Sequence, residues 1–171
     1  MREFELVQLA KEGNLKAYEV LYRSCVAQIK ALCRRMSGDE SMAEDLTQEA
    51  FVLAWRKLAS FKEDSSFSTW MYRVASNVTI DYLRSRKHWH FTDFSVLEDQ
   101  EMPEKMSKAC AIDLEKAIKL LPPQARTVLI LHTYLGYQHN EIADRTGLAV
   151  GTCKAHLHRA KGLLKQVLVD E

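Results

Sequence analysis

Glycine and proline are scarce in this chain of 171 residues, with six of one and three of the other. Sandwiches and barrels need turn residues every 8–12 positions or so, and strand-like alternation is absent as well. An all-α protein is expected. There is no uninterrupted run of about 18 apolar residues that could span a bilayer, and the N-terminus lacks the apolar core of a signal peptide. A cytoplasmic protein with no membrane insertion of its own is therefore expected. The four cysteines form no framework. Cys25 and Cys33 fall on one predicted helix, about 12 Å apart along its axis, which is too far for a disulfide. Cys110 and Cys153 read as small buried apolar residues. Cys153, His156 and His158 are close in sequence, but at 100° per residue His158 points about 140° away from Cys153. The three do not converge on an ion, and neither a metal nor another cofactor is expected. No nucleophile–base or acid–base constellation stands at a recognisable spacing, which argues against an enzyme.

Excess charge of one sign is also missing: the net charge is +1. The charges are nevertheless segregated. Residues 1–90 carry 14 Lys and Arg against 12 Asp and Glu, residues 91–108 carry 2 against 5, and residues 109–171 carry 8 against 6. Two mildly basic blocks flank an acidic segment that contains Pro103 and shows no clean period. The spacing predicts helices over about 3–11, 15–36, 41–58, 69–86, 112–121 and 124–135, followed by a helical pair. Ser41 and Glu44 match a capping box at the start of the third helix. Two small helical domains, 1–90 and 109–171, joined by a flexible acidic linker at 91–108, is the organisation expected.

The stretch YQHNEIADRTGLAVGTCKAHLHRAK, residues 137–161, is the most informative. It reads as a helix, a tight turn at Thr146-Gly147-Leu148 and a second helix from about Val150. Val150, Cys153, Leu157, Ala160 and Leu164 recur at three and four residues and so share one face, which is expected to be buried. The other face carries Gly151, Lys154, Ala155 and His158, flanked by Thr152, His156 and Arg159. No acid occurs between Gly147 and Val169. That is the layout of a helix-turn-helix whose second helix enters a DNA major groove. The competing reading is an ordinary helical hairpin with a solvated basic face.

In the first half, Trp70, Tyr72 and Arg73 stand with Asn77 and Asp81 ahead of a basic cluster, Arg84, Arg86 and Lys87. The preceding loop adds Phe61 and Phe67. Aromatic rings beside cations suit single-stranded DNA, where bases stack and phosphates meet Lys or Arg. Trp70, Val74, Val78 and Tyr82 also recur at fours, so several of these side chains are expected in the core.

Three segments carry a family resemblance: AEDLTQEAFVLAWRKL (43–58), FSTWMYRVASNVTIDYLRSRK (67–87) and LPPQARTVLILHTYLGYQHNEIADRTGLAVGTCKAHLHRAK (121–161). In order and spacing they resemble the hallmark blocks of bacterial sigma factors, in the short two-domain extracytoplasmic-function (ECF) branch of the sigma-70 family. The resemblance implies a subunit that binds core RNA polymerase and directs it to promoters, reading the −10 element as an opened single strand and the −35 element as duplex. By that likeness Asp45, Gln48, Glu49 and Phe51 match the polymerase-gripping helix. The loop from Phe61 through Ser65, Ser66 and Phe67 matches the part that holds a flipped −10 base. Trp70, Arg73, Asn77, Arg84 and Arg86 match the −10-facing helix. Thr152, Lys154, Ala155, His156, His158 and Arg159 fall on the −35-reading helix. The branch is usually held inactive by an anti-sigma factor, which is therefore an expected partner. Ala149 stands where many members have a capping Ser, and His156 where Arg is common. A regulator that binds DNA through the helix-turn-helix without polymerase is the alternative.

Overall fold

The computed structural model describes residues 1–90 and 110–169, and every regular element among them is helical. The linker expected at 91–108 lies outside the described residues. The chain divides into two compact units, Met1–Asp81 and Tyr82–Glu171.

The first unit is built from α1 (Glu3–Lys11), α2 (Leu15–Ser37), α3 (Glu40–Lys57) and α4 (Phe67–Arg84), whose last three residues fall past its boundary, with a short 3-10 turn at Leu58–Ser60. Asn14 opens α2 by accepting from the Ala17 N–H at 3.1 Å. Gly38 closes it with φ 70°, a left-handed conformation that a Cβ would disfavour. The cap of α3 differs from the expected one. Asp39, not Ser41, is the N-cap, and its carboxylate accepts from the N–H groups of both Ser41 and Met42. Asp39 stands where one oxygen reaches two free N–H groups at once, and Ser41 already lies within the helix. Ala43, Ala50 and Ala54 of α3 are fully buried, and small side chains let α3 lie close against α2. Leu21, Ile29, Leu32, Met36, Leu46, Phe67, Met71 and Ile80 fill the rest of this core. Two buried hydroxyls, Thr47 and Thr79, donate to the carbonyls of Ala43 and Ala75 one turn earlier and so leave no unpaired donor. Cys25 and Cys33 are free thiols inside the same core.

The second unit contains α5 (Cys110–Leu120), α6 (Pro123–Thr133), α7 (His139–Thr146) and α8 (Val150–Val169). Pro123 sits at the first position of α6, where its missing N–H costs nothing. The α7–α8 pair is the expected helix-turn-helix. Gly147 ends α7 with φ 75° and donates to the Ala143 carbonyl, while the Leu148 N–H is met by the Thr146 hydroxyl at 3.3 Å. Cys153, Leu157, Ala160 and Leu164 form the buried stripe of α8. Val150 does not join them. It begins the helix, before the stripe reaches α6 and α7, and is 40% exposed.

Candidate nucleic-acid and protein interfaces

Three surfaces collect the residues expected to act. The first is the outer face of α3. Asp45, Gln48, Glu49, Val52, Leu53 and Arg56 line a shallow groove of about 390 Å³. Their spacing of three and one keeps them on one side of a helix. Val52 is 52% exposed in the middle of this polar set. The family resemblance marked the acids but not Val52 or Arg56, because an apolar residue in a helix is assigned inward by default. Phe51 corrects the expectation in the other direction. It shares the buried face of Thr47, Ala50 and Ala54 and packs edge-on to Tyr22, ring centroids 4.7 Å apart. Its backbone carbonyl accepts from the Tyr18 hydroxyl at 2.6 Å. Phe51 thus shapes α3 from behind and offers no surface.

The second is the loop before α4. Ser60, Phe61, Lys62, Asp64, Ser65, Thr69, Trp70 and Arg73 line a surface pocket of about 370 Å³. Phe61 and Phe67 are both buried. Phe61 stacks on Trp70 at 5.0 Å, and Phe67 meets Phe61, Trp70 and Tyr18 at tilted or edge-on angles. The resemblance set both rings in the loop that holds a base, and core packing was the competing expectation for each aromatic. Phe67 lies wholly in the core and Phe61 forms the pocket's inner wall, since packing on aromatic neighbours removes from water the apolar surface that a free loop would expose. Trp70 is half-buried, with Arg73 and Asn77 exposed further along α4. Ser66 is the residue before α4, and its hydroxyl accepts from the Thr69 N–H, so it caps the helix. Ser65 stays exposed at the rim. Arg84 and Arg86 are exposed at the far end, Arg86 over the Tyr82 ring at 5.4 Å.

The third is α8. Thr152, Lys154, Ala155, His158 and Arg159 are exposed together, and Gly151 has open space around it. His156 is not among them. It is buried, its Nε2 3.3 Å from Gln124 Oε1 on α6, and burial pushes its imidazole below the usual histidine range. Fewer than two turns carry basic side chains at 154, 156, 158 and 159, and their phase around the axis sends 156 inward. Among the described residues, no group of three or more His, Cys, Asp or Glu could hold a metal ion. Nor is any helix there long and apolar enough to cross a membrane.

Comparison with known proteins assigns the chain to a family. Residues 21–88 match Sigma-70 region 2, and residues 111–164 match Sigma-70, region 4. The ECF RNA polymerase sigma factor SigW of Bacillus subtilis is 32% identical over 178 residues, an alignment covering 96% of this chain and 95% of SigW. The chain belongs to the ECF sigma factors. Its function is that of the family: a promoter-directing factor of RNA polymerase. The ECF sigma-E factor of Escherichia coli is 30% identical over 172 residues, covering 91% of this chain and 88% of that one. Among solved structures, the sigma factor RpoE, co-crystallised with the anti-sigma factor NepR from Bartonella quintana, shares the fold. There the TM-score is 0.59 at 24% identity, over 91% of this chain and 99% of that one. The region 2 match begins at residue 21, so α1 precedes it.

Proposed function

We propose that this ECF sigma factor divides its work among the three surfaces, with residues 1–90 serving polymerase and the −10 element and residues 109–171 serving the −35 element. The α3 groove grips core RNA polymerase. One observation carries this: an exposed valine stands amid Asp45, Gln48 and Glu49 on a single face. Here the valine sits in a groove with Leu53, and an apolar centre with a charged rim suits a protein interface. The pocket between the 60–66 loop and α4 takes a base from the opened −10 strand. Flipping a base costs a few kcal/mol of stacking, which wall contacts and the nearby cations Lys62 and Arg73 must offset. The exposed face of α8 enters the −35 major groove, with Lys154 and Arg159 toward phosphates and Thr152, Ala155 and His158 toward the groove.

These are binding surfaces, and a non-enzymatic role in the cytoplasm, where promoters and polymerase are, accords with them. An anti-sigma factor is a further partner, by analogy with the RpoE–NepR complex. The test is direct. Asp45→Arg combined with Gln48→Ala should weaken affinity for core polymerase with an unchanged helical circular dichroism spectrum, because both side chains are exposed. Unchanged affinity in the double variant removes the α3 groove from the interface.

A further inference from the structure

The loop that walls the −10 pocket is held in place by a helix outside the family's region 2 match. Lys11, on the last turn of α1, donates from Nζ to the Phe61 carbonyl at 2.7 Å. The same ammonium pairs with Glu63 Oε1 at 3.1 Å, both side chains being largely buried. That carboxylate oxygen also accepts from Gln8 Nε2 at 2.6 Å. A third tie lies at the far end of the loop, where Glu3 accepts from the Phe67 N–H at 2.8 Å and so engages the first residue of α4. Glu3, Gln8 and Lys11 together bracket the segment from Phe61 to Phe67.

The loop needs that bracket. Glu63 adopts φ 61°, a left-handed conformation unfavourable for a residue with a Cβ. It is the one non-glycine residue with positive φ among those described. Such a conformation persists only where surrounding contacts impose it, and here two donors from α1 converge on its carboxylate. Lys62 and Asp64, the neighbours of Glu63, both line the pocket, as does Phe61, whose carbonyl Lys11 holds. The backbone turn at Glu63 thus sets where three wall residues point. Charge-assisted hydrogen bonds of restricted exposure are suited to this, since they are directional and stronger than neutral ones.

We propose that α1 is a positioning clamp for the −10 pocket: Lys11 and Gln8, acting through Glu63, hold the loop in the shape that accepts an unstacked base. The proposal rests on the reading of that pocket as the −10 site. Lys11, Gln8 and Glu63 are positioning residues, since they act on the base only through Phe61, Lys62 and Asp64.

The experiment uses the full chain assembled with core polymerase and measures binding of a fluorescent single-stranded −10 oligonucleotide beside binding of −35 duplex. Lys11→Met should weaken oligonucleotide binding roughly tenfold, the size of one charge-assisted hydrogen bond, and leave duplex binding unchanged. Lys11→Arg should restore most of it. Glu63→Gln should weaken binding similarly, and the Lys11→Met, Glu63→Gln pair should do no worse than either alone, as members of one clamp must. Ile29→Val, a core change remote from the loop, controls for stability. If it weakens oligonucleotide binding as much as Lys11→Met at an equal drop in melting temperature, the clamp is ordinary packing and the proposal fails. It fails too if Lys11→Met leaves oligonucleotide binding intact while Arg73→Ala, at the pocket itself, impairs it. If Arg73→Ala also has no effect, the −10 reading of the pocket falls and the clamp with it.

Discussion

His156 is a basic side chain on a helix of basic side chains, yet it lies inside, against Gln124. His132 and His139 are half-buried. Their rings stack at 4.9 Å with planes 16° apart, and neither Nδ1 has a hydrogen-bond partner. Burial lowers the His132 pKa first, with His139 and Lys161 adding repulsion, and burial alone lowers that of His156. A histidine with a depressed folded pKa binds more protons when unfolded. Its contribution to stability is therefore present above about pH 6.5 and lost as pH falls below it. Urea melts of the full chain at pH 7.5 and 5.5 should show the second unit weakening in acid, by well under the limit of about 1.4 kcal/mol per pH unit for each proton, because solvent screens a half-exposed ring. His132→Phe, which keeps a ring in the stack, should flatten that dependence; an identical slope would mean that other groups set it. Sequence identified these residues as histidines but not their phase. A basic residue on a basic helix is read as exposed, and only the packing of α6 against α8 reverses that. Phe51, Phe61 and Phe67 carry the same lesson. A ring that can stack on a base can equally fill a core, and here each has aromatic neighbours that decide it.

At the scale of elements, most of the helices were legible because their apolar residues recur at three and four and because Gly13, Gly38, Gly147 and Pro123 punctuate them. The ends were less so. Asp39 displaced Ser41 as the cap of α3, since both residue types cap well and only geometry selects between them. The clamp from α1 was invisible, because Lys11 and Glu63 are 52 residues apart and no local pattern links them. The start of α8 offers a test of capping chemistry. Ala149 precedes the helix, and its carbonyl accepts from Cys153 N–H, but it has no side-chain acceptor for the first free N–H groups. Ala149→Ser should raise the melting temperature of the second unit, a gain of roughly 0.5–2 kcal/mol. With −35 duplex bound, the gain should shrink if a phosphate already caps that end. No rise in the free protein would show that another group satisfies those N–H groups.

For the whole molecule, a helix-turn-helix alone left two readings open, a sigma factor and a polymerase-independent regulator. The region 2 match and the 32% identity to SigW along nearly the full chain decide for the first. Under the proposed assignment of surfaces, one chain performs two tasks in sequence: duplex recognition, then capture of a strand that becomes available only after melting. Lys154→Ala and Arg159→Ala remove cations from the exposed face of α8. They should weaken −35 duplex binding and reduce the salt slope by about one for each phosphate no longer neutralised. Arg73→Ala and Asn77→Ala, on the exposed face of α4, should leave duplex binding intact. They should instead slow promoter opening, read as permanganate reactivity of unpaired thymines. A template already melted at the −10 element separates the two. The α8 variants should recover much of their activity on it when polymerase is in excess, because opening no longer depends on the hold at −35. The α4 variants should not recover, since the strand they fail to hold is still the one presented. If instead the α8 variants stay inactive on the melted template, α8 acts after opening as well, and the separation of the two elements between the two ends of the chain does not hold.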